Sequence, residues 1–86
     1  PHRNRGIINL TELLVNLVQL YRPQADAKQI KLNVQVTKNL RLLGDSDQLR
    51  RLFGNLIENA INYTPNGGIV EIEDRRVGSQ WYIDVR

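Results

Sequence analysis

The sequence contains no cysteine, and its aromatic residues make up only 6% of the chain. Without cysteine, disulfides and thiolate metal sites are both excluded. No segment approaches the run of about 18 apolar residues that a bilayer-spanning helix needs, and the start of the chain shows no signal-peptide pattern. These absences predict a cytoplasmic segment that makes no membrane contact of its own, and they leave open whether a parent protein is attached to a membrane.

Positive charge is present but dispersed. The net charge is +3, and a basic chain suggests nucleic-acid binding when its Lys and Arg residues cluster against phosphates. Here the arginines form separate pairs, most with acidic residues nearby, and few aromatic side chains are available to stack on bases. No nucleic-acid partner is therefore predicted. The arginine pairs are Arg3 with Arg5, Arg50 with Arg51, and Arg75 with Arg76.

The first half of the chain predicts one helix and two strands. Asn9 and Glu12 form a capping-box-like start, and apolar residues then recur at helical spacing up to Tyr21. Pro23 disfavours helical angles at the preceding residue, and we favour a kinked continuation to about Lys28. Residues 31–36 alternate polar with apolar side chains, which is typical of a strand with one buried face, and residues 40–43 form a second short strand.

A second helix is predicted from the capping residue Asp45 to about Tyr63. The Thr64-Pro65 pair disfavours helical angles at its first residue, and the following Asn-Gly-Gly allows a turn. The apolar residues recur at helical spacing and predict a buried face. They are Leu49, Leu52, Phe53, Leu56, Ile57, Ala60 and Ile61.

Alternating runs at residues 69–74 and 80–85 predict a final hairpin joined through residues 77–79. Residues 1–6 are predicted to be the end of a linker that leads into a short edge strand over 6–8. Two helices packed on one face of a small mixed or antiparallel sheet give an α+β, two-layer sandwich. At 86 residues the chain is one small domain or a piece of one, which buries only about 60% of its unfolded surface.

Three asparagines lie along one side of the second helix. Asn55, Asn59 and Asn62 are at positions i, i+4 and i+7, which places them in one narrow stripe away from the centre of the apolar face. Asparagine is a poor helix former because its amide competes for backbone hydrogen bonds. The spacing alone is compatible with a solvated surface as well as with a binding site.

The run Asn-Leu-Ile-Glu-Asn-Ala-Ile-Asn-Tyr-Thr-Pro at residues 55–65, followed by Gly67 and Gly68, resembles the N-box of the ATP-binding domain of sensor histidine kinases. The lead-in at 47–52 and the segment 9–28 also resemble the opening of that domain, so the resemblance covers essentially all 86 residues. It implies that residues 1–86 are a single partial domain, the first part of a Bergerat-type fold. His2, the only histidine, is expected to be a solvent-exposed linker residue and not a phosphoacceptor.

The resemblance also implies roles for individual residues. Asn59 would supply an oxygen ligand to a Mg²⁺ ion that bridges the ATP phosphates, and Asn55 would contact phosphate or metal-bound water. Tyr63 would border the nucleotide. Many kinases carry a lysine or arginine where this chain has Asn62, so its contact with phosphate is expected to be weaker. Glu58 is expected to assist polarity or a substrate histidine, and not to act as a hydrolytic base.

The implied function is donation of the ATP γ-phosphoryl group to a histidine on a separate dimerisation domain, in a pathway that includes a response regulator. The sequence contains no Asp-x-Gly-x-Gly box and no second glycine-rich box, so the chain alone is expected to bind ATP weakly or not at all and not to autophosphorylate. The exposed final strand suggests self-association of the chain. The alternatives are an anti-sigma-factor-type serine kinase and a degenerate protein-interaction module without nucleotide chemistry.

Overall fold

The computed structural model describes residues 5–86 and confirms the α+β class. Within this range, no helix is both long enough and apolar enough to cross a membrane. Residues 5–86 fold into two helices and five strands. In chain order they are β1 (Arg5–Asn9), α1 (Leu10–Ala27), β2 (Lys31–Gln35), β3 (Arg41–Asp45), α2 (Ser46–Tyr63), β4 (Ile69–Val77) and β5 (Gln80–Val85).

The strands are divided between two sheets, whereas the sequence predicted one. β1 pairs with β3 in an antiparallel ribbon, and β2, β4 and β5 form a mixed sheet in the order β2-β4-β5. β2 and β4 are parallel and β4 and β5 antiparallel. A parallel pair needs a long crossover, and here β3 and α2 lie in that connection. Strand β3 lies outside the larger sheet and pairs with β1.

Strand β1 begins at Arg5, inside the stretch 1–6 that was expected to be the end of a linker. Arg5 pairs with Asp45 and Gly6 with Gly44, so both residues belong to the ribbon. His2 lies outside the described residues.

Both helices start and end close to the predicted positions. The Asn9 side chain accepts a hydrogen bond from the Glu12 amide at 3.0 Å. The Asp45 carboxylate accepts from the backbone amides of Asp47 and Gln48. These bonds satisfy amide donors that have no partner within the first helical turn. Helix α1 continues through its internal proline to Ala27, and α2 ends at Tyr63.

The core lies between the helices and the inner face of the three-stranded sheet. On α2 the buried face is centred on Gly54, Ile57 and Ile61. At Gly54 the helices approach so closely that an added Cβ would lie 3.2 Å from the Tyr21 hydroxyl. The buried hydrophobic residues are Leu10, Leu13, Leu14, Leu17, Val18, Ala25, Ile30, Leu32, Phe53, Ile57, Ile61, Val70 and Ile72.

The prediction of a buried face on α2 was wrong at Leu52 and Leu56, whose exposed fractions are 52% and 41%. At about 100° per residue, Leu56 lies about 100° around the helix from Ile57, and Leu52 lies about 140° from it. The arc that α1 and the sheet cover is therefore narrower than the apolar stripe in the sequence. This difference places two apolar side chains on the same exposed surface as the asparagines.

Candidate functional site

The exposed side of α2 carries all of the predicted nucleotide-binding residues. Asn55, Asn59, Asn62 and Tyr63 are exposed, as expected from their spacing. Tyr63 is 85% exposed and therefore takes no part in the core. We define the asparagine face as the exposed side of α2 formed by Leu52, Asn55, Leu56, Asn59, Asn62 and Tyr63.

The amides of this face differ in their partners. Within residues 5–86, the side chains of Asn55 and Asn59 make no hydrogen bond, so their oxygens and NH₂ groups can meet a ligand. The Asn62 oxygen accepts a hydrogen bond from the Gln24 side chain at 3.3 Å. The Asn62 NH₂ group keeps its donor capacity, since a side-chain amide has two donors in addition to its acceptor oxygen. The Asn62 side chain is thus oriented so that its NH₂ group can donate a hydrogen bond to a ligand.

Leu52 and Leu56 were not predicted to belong to this surface. At positions i, i+4, i+7 and i+11, Leu52, Leu56, Asn59 and Tyr63 fall within about 60° of one another around the helix and form a mixed polar and apolar strip. A strip of this kind suits a ligand that has both a charged and an aromatic part, since binding sites combine apolar contacts with a few polar groups. The angular distance of the two leucines from Ile57 was the signal that could have identified them.

Glu58 lies at the border between the asparagine face and the core. It is half-buried, whereas Asn59 beside it is exposed. At about 100° per residue, Glu58 lies about 100° around the helix from Asn59 but only about 60° from Asn55 and about 40° from Asn62. Its side chain makes no ion pair or hydrogen bond with the other described residues. Glu58 therefore borders the row of amides on the side that faces the core, next to Asn55 and Asn62.

The C-terminal end of α2 is held by Lys28, a residue that sequence reasoning had only used to mark the end of α1. Its Nζ donates hydrogen bonds to the carbonyl oxygens of Ile61, Asn62 and Thr64 at 2.8, 3.1 and 2.7 Å. The backbone carbonyl of Lys28 accepts a further bond from the Gly67 amide at 2.9 Å. Two of the predicted site residues, Asn62 and Tyr63, lie within this clamped segment.

The donor set of the asparagine face fits a magnesium ion bound together with phosphates. Mg²⁺ prefers oxygen ligands in octahedral geometry and keeps several waters, so a single protein oxygen is a common contribution. The Asn59 amide oxygen is exposed and has the required hard, neutral character. Within residues 5–86, no group of three or more His, Cys, Asp or Glu residues could hold a metal ion. A metal at this face would thus rely on phosphate oxygens and water for its other ligands.

Two cavities occur elsewhere in the described part of the chain. One, of about 270 Å³, lies beside the starts of α1 and α2, next to Glu12 and Arg50. The other, of about 190 Å³, is apolar and lies between β3, α2 and β5, next to Phe53 and Trp81. Neither is lined by a residue of the asparagine face. The residues of the asparagine face are all exposed on the surface of α2.

Two helices packed against a mixed sheet, with an exposed row of amides on the second helix, define the fold of a histidine-kinase catalytic domain. The chain superposes on the catalytic domain of the histidine kinase ThkA with a TM-score of 0.87 at 22% identity, over 95% of this chain and 56% of that one. ThkA has also been crystallised in complex with the response regulator TrrA. No protein-family model matches the sequence.

Sequence comparison gives the same result. The chain is 32% identical over 82 residues to the sensor-like histidine kinase SenX3 of Mycobacterium tuberculosis, covering 95% of this chain. It is 32% identical over 78 residues to the alginate biosynthesis sensor protein KinB of Pseudomonas aeruginosa, covering 90% of this chain. The chain corresponds to a segment of the catalytic domain of sensor histidine kinases. It spans 20% of SenX3 and 13% of KinB.

Proposed function

We propose that the asparagine face binds the Mg²⁺-ATP of a sensor histidine kinase. The observation that carries this proposal is the pair of exposed amides, Asn55 and Asn59, which have no partner within residues 5–86 and lie one helical turn apart. Three asparagines weaken a helix, and the core does not use them. Their exposure and spacing suit a ligand that brings several oxygen atoms to one side of the helix.

Each residue of the face has a distinct task in this proposal. Asn59 offers its amide oxygen to the metal ion, and Asn55, one turn earlier, donates to phosphate or to metal-bound water. Asn62 donates through its NH₂ group, because its oxygen is occupied by Gln24. Tyr63 provides an exposed aromatic surface next to the ribose or base. When bound, Mg²⁺-ATP supplies the phosphoryl group, and the chain contributes position and neutral polar contacts.

We also propose that the parent protein is a two-component kinase. Its catalytic part would lie in the cytoplasm, whether or not the parent protein is attached to a membrane. The acceptor of the γ-phosphoryl group would be a histidine on a separate dimerisation domain. A response regulator would be the next partner, as in the complex of ThkA with TrrA. The matched relatives are sensor histidine kinases. They favour this acceptor over the serine of an anti-sigma-factor system, and they favour an active site over a degenerate interaction module.

Titration of the 86-residue chain with Mg²⁺-ATP tests the nucleotide part of this proposal. We expect no saturable heat at micromolar nucleotide, because the chain has no glycine-rich box to bring backbone amides to the phosphates. At millimolar nucleotide, we expect the side-chain amide signals of Asn55, Asn59 and Asn62 to shift in NMR spectra. Micromolar binding would contradict the expected weakness, and unshifted amide signals at millimolar nucleotide would contradict the assignment of the face.

Self-association is proposed at a different surface, the outer edge of β5. Strand β5 ends the sheet order β2-β4-β5, so its far side is unpaired among the described residues. Glu71 and Arg86 exchange two backbone hydrogen bonds. Because hydrogen-bonded and non-hydrogen-bonded pairs alternate in an antiparallel ladder, the backbone groups of Trp81, Ile83 and Val85 point to the free edge.

A second copy of this chain fits that edge in an antiparallel register centred on Ile83. In this register Trp81 lies opposite Val85 on the apolar face and Tyr82 opposite Asp84 on the polar face. No like charges are placed directly opposite each other, and about six backbone hydrogen bonds form. The edge has no lysine, proline or bulge of the kind that protects exposed strands.

We expect sedimentation velocity to show a monomer–dimer equilibrium between micromolar and millimolar protein. Replacing Ile83 with lysine should abolish the dimer, because two ammonium groups would then lie opposite each other at the centre of the register. Val77→Lys adds the same charge at an exposed position of β4 and controls for the charge alone, since Ile83 also packs against the core. Far-UV circular dichroism should show that both variants fold. A wild-type chain that stays monomeric at millimolar concentration would contradict the proposal.

A further inference from the structure

The C-terminal turn of α2 is capped from outside the helix. The last carbonyl groups of any α-helix have no intrahelical partner, and α2 has no basic residue in its own last turn. Lys28, which follows α1, supplies the missing donor and bonds three carbonyl groups at 2.7 to 3.1 Å. Its nitrogen is thus shared among atoms 33 to 36 residues away in the sequence.

The turn after α2 is attached to the same segment by backbone bonds. The Gly67 amide donates to the Lys28 carbonyl at 2.9 Å, and the Lys31 amide donates to the Gly68 carbonyl at 3.0 Å. Gly67 has φ +85°, a conformation that glycine adopts without steric cost. Backbone hydrogen bonds to Lys28 and Lys31 therefore hold the turn that leads from α2 into β4.

Gln24 adds a contact from the same side of α1. It precedes Lys28 by one helical turn, and its side-chain NH₂ donates to the Asn62 oxygen at 3.3 Å. One pair of residues at the end of α1 thereby contacts both the backbone and the side chain of Asn62. The backbone bond sets where the residue lies, and the side-chain bond sets which end of its amide faces outward.

The position of the ammonium group also has an electrostatic consequence. The C-terminal end of a helix carries a partial negative charge, which disfavours a nearby anion. Asn62 and Tyr63 lie at that end of α2, and neither brings a positive charge. An ammonium group bonded to the terminal carbonyls offsets the unfavourable dipole without occupying the exposed face. An uncharged donor at Asn62 can then approach an anionic ligand.

We propose that Lys28 is a positioning residue for the asparagine face: it holds the last turn of α2, and with it Asn62 and Tyr63, in the conformation that receives an anionic ligand. The part of this inference that concerns the ligand rests on the proposed nucleotide function. The part that concerns the conformation of the turn stands on the hydrogen bonds alone. Gln24 supports Lys28 by orienting the Asn62 amide.

The test compares Lys28→Met with Lys28→Arg and with a matched control, Lys31→Met. Methionine keeps an unbranched apolar side chain and removes the charge and the donors, whereas arginine keeps both. Lys31 is exposed on β2, and its side chain makes no hydrogen bond within the described residues. Amide hydrogen exchange at Tyr63 and Thr64, measured relative to Ile57 in the core, reports on the last turn independently of global stability.

In Lys28→Met, we expect exchange at Tyr63 and Thr64 to accelerate about tenfold relative to Ile57, in line with the loss of charged hydrogen bonds. Lys28→Arg should restore slow exchange, and Lys31→Met should leave it unchanged. Equal exchange ratios in Lys28→Met and Lys31→Met would overturn the conformational part of the proposal.

The role of Lys28 in ligand binding is tested by the change in NMR chemical shift of the Asn62 side-chain amide on addition of millimolar Mg²⁺-ATP. We expect this shift in the wild-type chain and in Lys28→Arg, and a shift several-fold smaller in Lys28→Met. A shift of full size in Lys28→Met would overturn the positioning role. No shift in the wild-type chain would instead contradict the proposed nucleotide function, and the exchange experiment would still decide whether Lys28 fixes the turn.

Discussion

Replacing Ile57 with alanine is expected to lower the free energy of unfolding by about 3–4 kcal/mol, within the range seen when a buried isoleucine is truncated. Ile57 is fully buried, in the middle of α2, among the core residues that join the helices to the sheet. The cost includes the lost transfer energy and the cavity that remains. A domain of this size has a total stability on the order of 4–13 kcal/mol, so this one substitution removes a large part of it.

Urea unfolding followed by circular dichroism measures this effect, and Leu56→Ala is the matched control. Leu56 is the adjacent residue on the same helix and is 41% exposed. Its truncation is expected to cost less than about 1 kcal/mol, because less apolar surface returns to water and no cavity forms. Similar losses for the two variants would show that the helix packs through a wider face than the structure indicates.

The contrast between these neighbours shows what periodicity can and cannot predict. The spacing of apolar residues gave the existence, limits and approximate direction of α2, and the caps at Asp45 and Asn9 confirmed where the helices begin. Periodicity does not give the width of the buried arc, which depends on the elements that pack against the helix. Leu52 and Leu56 were therefore assigned to the core although they are exposed.

Strand pairing shows a similar limit. Alternation predicted most strand residues, because it depends only on which side chains face the core. It does not say which strand lies next to which, and β3 pairs with β1 and not with the larger sheet. The exposure of the asparagines followed from spacing. The contacts of Lys28 could not be predicted from spacing, because hydrogen bonds between a side chain and carbonyl groups 33 to 36 residues away have no periodic signature.

In the parent kinase, replacing Asn59 with alanine is expected to reduce autophosphorylation on the order of 100-fold, comparable to the loss of one directed electrostatic contact to a transferring group. Asn59 is exposed and makes no hydrogen bond within residues 5–86. Its truncation should therefore leave stability unchanged or slightly increased, since alanine is the better helix former. Asn59→Ala should therefore lose activity without losing stability, whereas a folding defect would lower both.

Asn16→Ala is the control for this substitution, because Asn16 is an exposed asparagine within α1, the other helix. Both variants change the same side chain in the same secondary structure, and only Asn59 lies on the asparagine face. Phosphotransfer is measured with Mg²⁺-ATP over a range of Mg²⁺ concentrations, since loss of a metal ligand should raise the Mg²⁺ requirement. Full activity and an unchanged Mg²⁺ requirement in Asn59→Ala would mean that the row of amides faces solvent and holds no metal-bound nucleotide.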